Sequence, residues 1–167
     1  MFYVVKGEIS QYEKAIKDGT FEKTTKLLDC TIIAGAFSQI AKDLGRDSDY
    51  DYLNDVYNYW TQAFGDDGLL KTDYPYYEGN HWNYSFRFVL DVQKRIALSG
   101  GKDNLTRQLD KFFAFNEDSD VLDRFEGFNN ETDMETPYFY HYVGRYDRLA
   151  TIMQECMDSC YTTGPDG

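Results

Sequence analysis

Along most of the chain apolar residues recur every three or four positions and strict alternation is scarce, so helices are expected and strands are not. A first helix is expected over Ser10–Lys17, stopping at Gly19. The next is expected from about Thr20 to Leu44. Its wide apolar stripe is Leu27, Leu28, Ile32, Ile33, Phe37, Ile40, Ala41 and Leu44, with Gly45 as its stop. Asp47 or Ser48 then caps a third helix whose inner face is Leu53, Val56, Tyr57, Trp60 and Phe64, closed by Gly65. After an irregular stretch from Asp66 to Asn80, a helix is expected over His81–Leu98, ended by Ser99-Gly100-Gly101. Another covers Lys102–Phe115, with Leu105, Leu109, Phe112 and Phe113 inward. A second irregular stretch, Asn116–Thr136, leads to Pro137, which suits the first turn of a helix carrying Tyr138, Tyr140 and His141. The final helix follows Gly144 and shows Tyr146, Leu149, Ile152, Met153, Cys156 and Cys160.

The pattern is all-α, with about seven helices in antiparallel-looking pairs. Short links alternate with two long loops rich in acids, amides and aromatics. A toroid of helical hairpins produces that alternation, with the loops at one rim built up into a site.

Composition narrows the possibilities. A chain of 167 residues, 42% hydrophobic and 28% charged, suits one globular domain with a real core. The aromatic share of 17%, with 15 Tyr, suits both an aromatic core and a sugar-binding cleft, and the core reading accounts for most of it. A net charge of −12 makes nucleic acid a poor partner, because phosphate binding needs clustered Lys and Arg. No basic stripe serves anionic lipid, and no stretch is long and apolar enough to span a membrane. The 3 cysteines, Cys30, Cys156 and Cys160, form no disulfide framework; Cys156 and Cys160 read as core positions four apart. Sequons at Asn83, Asn104 and Asn130 read as chance, two of them falling inside the motifs below. Phosphate loops, HExxH, CxxC and serine-nucleophile elbows are missing from the sequence.

Two segments could carry chemistry. Glu78 stands in an irregular loop between aromatics, followed by Gly79-Asn80. Flanking rings would desolvate its carboxyl and raise its pKa, as a general acid near neutrality requires. Asn80 offers both a donor and an acceptor, and Trp82 offers a flat apolar face to a pyranose ring. The alternative is a plain helix start, with Asn80 as cap and Glu78 solvated. The second segment, Phe128 to Tyr138, gathers amides and acids that could hold sugar hydroxyls or a hard cation such as calcium, without the EF-hand order. A solvated loop leading into a helix is the alternative there.

Together the segments resemble glycoside hydrolase family 92, the calcium-dependent exo-α-mannosidases. Glu78-Gly79-Asn80-x-Trp82-x-Tyr84 is similar to that family's Glu-Gly-Asn-x-Trp-x-Tyr signature. Ser99-Gly100-Gly101-Lys102 with Leu109-Asp110-Lys111-Phe112-Phe113 resembles its Gly-Gly-Lys and Leu-Asp-x-x-Phe segment. Asn130-Glu131 with Pro137-Tyr138-Phe139-Tyr140 resembles its Asn-Glu-Pro and Pro-Tyr-Leu-Tyr segment. Tyr161 to Gly167 resembles the stretch leading into its Gly-Asn-Asp-Asp motif.

The resemblance implies an (α/α)6 toroid, of which residues 1–167 would be an incomplete part, hydrolysing terminal α-mannosides with inversion. It places Glu78 as general acid, with Asn80, Trp82, Asn130 and Glu131 as substrate-binding residues. Calcium is implied as cofactor, with no ligand assigned, and the partners implied are a mannose-containing glycan and the remainder of the parent domain. Inversion needs a second carboxylate roughly 6.5–9.5 Å away to activate water. The family supplies it from Gly-Asn-Asp-Asp, which this sequence does not contain, so the 167 residues alone are expected to be inactive. Three positions depart from the pattern: Leu90, Met134 and Glu135 stand where the family usually has histidines. They motivate a rival reading, a non-catalytic scaffold or glycan-binding relative.

Overall fold

A computed structural model of the chain describes residues 24–72, 76, 79–87, 90–115, 131–159 and 164. The helix expected over residues 10–17 lies outside them. The chain divides into two compact units at His81/Trp82.

In the first unit, α1 (Thr24–Asp43) packs against α2 (Asp47–Asn58), which a 3-10 segment, Tyr59–Ala63, prolongs. The row expected on α2 is buried as read: Leu53, Val56, Tyr57, Trp60 and Phe64. Trp60 and Phe64 meet edge to face at 5.6 Å. The wide stripe expected on α1 is corrected. Leu27, Leu28 and Ala41 are buried, but Ile33, Ile40 and Leu44 are exposed. The buried seam runs instead through Thr25, Leu28, Thr31, Ala34, Ser38 and Ala41. Hydroxyls are tolerated there because Thr31 Oγ1 donates to Leu28 O at 3.0 Å and Ser38 Oγ to Gly35 O at 2.7 Å. Each is satisfied on its own helix, and the small side chains leave room for bulky neighbours.

Gly45 ends α1 as expected. Its N–H reaches Lys42 O at 3.0 Å and that of Arg46 reaches Ala41 O at 2.9 Å, with Gly45 at φ +64°. A side chain at that backbone angle would be strained, which is why glycine serves here. Neither Asp47 nor Ser48 caps α2. Arg46 holds that position, and its guanidinium clasps Asp49 in the first turn, Nε to Oδ2 at 2.6 Å. Asp47 and Asp49 inside that turn complement the positive end of the helix instead.

The second unit carries α3 (His81–Ser85, whose first residue belongs to the preceding unit), α4 (Val92–Leu98), α5 (Lys102–Phe112) and α6 (Glu131–Glu135). A 3-10 turn, Thr136–Tyr138, leads into α7 (Phe139–Val143), and α8 (Tyr146–Ser159) follows. The single helix expected over His81–Leu98 is two. Asp91 interrupts it, its carboxylate accepting from Lys94 N at 2.9 Å and so starting α4 afresh. The stretch ending at Thr136 is helical from Glu131, not irregular, and Pro137 sits in a first turn as expected.

Among the described residues part of the aromatic excess forms core, while Tyr138, Tyr142 and Tyr146 are exposed. Phe86 packs on Phe112 at 5.3 Å and on Phe139 at 6.4 Å, while Phe113 meets Phe112 at 4.9 Å and Tyr140 at 6.0 Å. Leu105, Leu109, Ile152 and Cys156 complete the packing, whereas Tyr146 and Met153 are exposed against expectation. Cys160 lies outside the described residues. Among the described residues every named element is helical, with one isolated bridge between Phe64 and Leu70, so the chain is all-α as expected. None of the described helices is long and apolar enough to cross a membrane.

Candidate active site

Glu78, the expected acid, and Asn130 lie outside the described residues. Asn80, half-buried, immediately precedes α3, and Glu131 opens α6. Asn80 belongs to the first unit, and Trp82 and Glu131 to the second.

Short as it is, α3 is firmly held. Asn83, Tyr84 and Ser85 are buried. The buried Arg95 of α4 donates to the carbonyl of Ser85 from Nε at 3.1 Å and Nη2 at 2.9 Å, and from Nη1 to Ser99 Oγ. Its guanidinium lies 5.9 Å from the centroid of the Phe86 ring, and burial pulls its pKa down to about 9. A planar fork that satisfies a helix-end carbonyl twice fixes the direction in which α3 leaves the core.

Trp82 is half-buried on α3. Phe86 lies 6.3 Å away at a 34° tilt, and the ammonium of Lys111 stands 5.7 Å from the ring centroid. The cation and the indole face attract each other electrostatically, which steadies the ring. Within the first unit, burial lowers the pKa of His81 while Asp67 pulls it back up. The adjoining turn borders a recess of about 330 Å³ lined by Gly65, Asp66, Asp67, Leu70, Lys71 and Thr72, none of them an expected site residue.

The feature that the sequence did not disclose joins the neighbours of two expected site residues. Asn83, one residue after Trp82, donates from Nδ2 to Asp133 Oδ1 at 3.1 Å. Asp133, two residues after Glu131, is only 1% exposed. Burial pushes its carboxyl up to about 6, and the Asn83 amide works against that shift. Helical periodicity read through Glu131–Glu135 would have marked Asp133 as the inward acid; treating the stretch as loop concealed it. Asn83 is too buried for its sequon to serve as a glycan acceptor.

The three departures stand at the surface: Leu90 is 43% exposed, Met134 45%, and Glu135 is exposed too. No group of three or more His, Cys, Asp or Glu able to hold a metal ion occurs among the described residues.

No curated protein matches the chain. Residues 7–167 match the glycosyl hydrolase family 92 catalytic domain, which takes in both expected site segments and the Asn83–Asp133 contact between them. With nearly its whole length accounted for in this way, the chain belongs to glycosyl hydrolase family 92.

Proposed function

We propose that the chain supplies the acid side of an inverting α-mannosidase site, within an (α/α)6 toroid of which residues 1–167 form part. The observation that carries this is the run Glu78-Gly79-Asn80-x-Trp82-x-Tyr84 inside a chain matching the family domain over residues 7–167. Glu78 donates a proton to the departing glycosidic oxygen, and the half-buried Trp82 presents a face for the apolar side of the sugar. Asn80, Asn130 and Glu131 hold hydroxyls of a terminal mannose. The water-activating base belongs to a Gly-Asn-Asp-Asp segment, which the sequence lacks, and calcium dependence is proposed on family grounds alone.

The 167-residue chain, mixed with aryl α-mannosides and calcium, is expected to release nothing above buffer; clear turnover would show that it carries its own base. In the protein that also contains the base segment, Glu78→Gln should abolish hydrolysis of poor leaving groups and spare activated aryl mannosides, since only the former need proton donation. Equal loss on both would remove Glu78 from the acid's role.

A glycan-binding or scaffold protein without turnover is the second reading, favoured by the exposed Leu90, Met134 and Glu135. It predicts saturable binding of methyl α-mannoside and no hydrolysis even when the base segment is present.

A further inference from the structure

We infer that Asp133 is a positioning residue, which through Asn83 sets the segment beginning at Glu131 against the helix that carries Trp82. The inference rests on the glycosidase-site reading for its functional meaning, but the contact itself is geometric. Asn83 and Asp133 are 50 positions apart in sequence, and the bond between them closes at 3.1 Å with both residues buried. A carboxylate taken out of water is costly unless a donor meets it, so the amide of Asn83 decides whether Asp133 can sit there at all.

The leverage comes from the shortness of both helices. α3 and α6 have 5 residues each, too few to hold a direction by their own backbone bonds. α3 is fixed at its C-terminal end by Arg95 on Ser85 O. α6 continues into the buried Thr136 and Pro137, which hold its far end. Asp133 grips it from the middle, two residues after Glu131, a rise of about 3 Å along the helix axis. Asn83 follows Trp82 directly in the chain. A change in this one hydrogen bond therefore shifts the backbone at Trp82 relative to that at Glu131, without replacing either residue.

The test uses the 167-residue chain with methyl α-mannoside as probe. It compares the wild type with Asp133→Ala, Asp133→Asn and Asn83→Ala by titration and by amide exchange over residues 131–135. Asp133→Ala and Asn83→Ala should weaken binding about tenfold and speed exchange in that segment. Asp133→Asn keeps an oxygen that accepts from Asn83, and should bind within about twofold of the wild type with exchange no faster. A role that needs the negative charge of Asp133 would give no such rescue. Unchanged binding in Asp133→Ala overturns the inference, as does equal loss in Asp133→Ala and Asp133→Asn. If the wild type binds no methyl α-mannoside, the site reading fails on its own. The positioning role is then decided by exchange alone: faster in Asp133→Ala but not in Asp133→Asn upholds it, and no difference between them overturns it.

Discussion

The hydroxyl of Tyr140 donates to Asp110 Oδ1 at 2.9 Å, and both residues are buried. The bond ties α7 to α5, and Arg148 of α8 adds its Nε to the same carboxylate oxygen at 3.3 Å. Burial, then the Asp110 charge, holds the Tyr140 phenol far above its ordinary pKa, so it remains a donor across the usable pH range. Tyr140→Phe should lower unfolding free energy by about 1–2 kcal/mol, because Asp110 keeps its burial and loses its neutral donor. Urea titration with an unchanged slope checks this; a loss under about 0.3 kcal/mol would mean that Arg148 alone suffices.

Asp133 gives a pH signature of the opposite kind from a paired surface acid. Its native pKa, about 6, is raised from 3.8, so the folded state holds the proton more tightly and stability falls as pH rises between those values. Above the window the full cost is present; below it there is none. Asp133→Asn stays neutral throughout, so its stability relative to wild type should improve from pH 4 to 7 by up to roughly 2–3 kcal/mol. Thermal melts across that range measure it, and a flat difference contradicts the buried carboxylate.

Ala114 ends α5 where a glycine would be expected. The N–H of Ala114 reaches Lys111 O at 3.2 Å and that of Phe115 reaches Asp110 O at 2.9 Å, the pattern that Gly45 and Arg46 make after α1. Ala114 is the only non-glycine with positive φ among the described residues, at 53°. That angle crowds its Cβ, so Ala114→Gly should raise stability by about 0.5–1 kcal/mol after the entropy of the unfolded chain is counted, and Ala114→Val should lower it by more. Phe115 is the next residue, its ring 6.2 Å from that of Tyr140 and its centroid 4.1 Å from the guanidinium of Arg148. The strained angle persists because these contacts reward it.

Much of the fold was legible because helical periodicity needs only local information. The inward rows of α2 and α5 were read correctly, as was the glycine stop of α1. The failures have physical causes. On α1 the burial of Thr31 and Ser38 depends on hydroxyls bonding back to their own helix, so hydropathy found only part of the buried face. Between α3 and α4 the cap at Asp91 outweighed an apolar pattern that ran straight through it. Of the candidate site, the signature around Trp82 was visible as a motif, but the partnership of Asn83 with Asp133 was not. Long-range pairs leave no trace in spacing, and an acid in an acid-rich segment looks solvated until the helix around it is known.

The sequence holds 2 tryptophans, and the fold gives one to each unit. Trp60 has no exposed surface, while Trp82 is half-exposed with the Lys111 ammonium near its ring. They are therefore separate optical reporters. Trp60 should emit from surroundings closed to soluble quenchers, and Trp82 should emit further to the red and be open to quenching. A single emission spectrum thus watches the two units independently, and an unfolding transition that begins in one of them announces which.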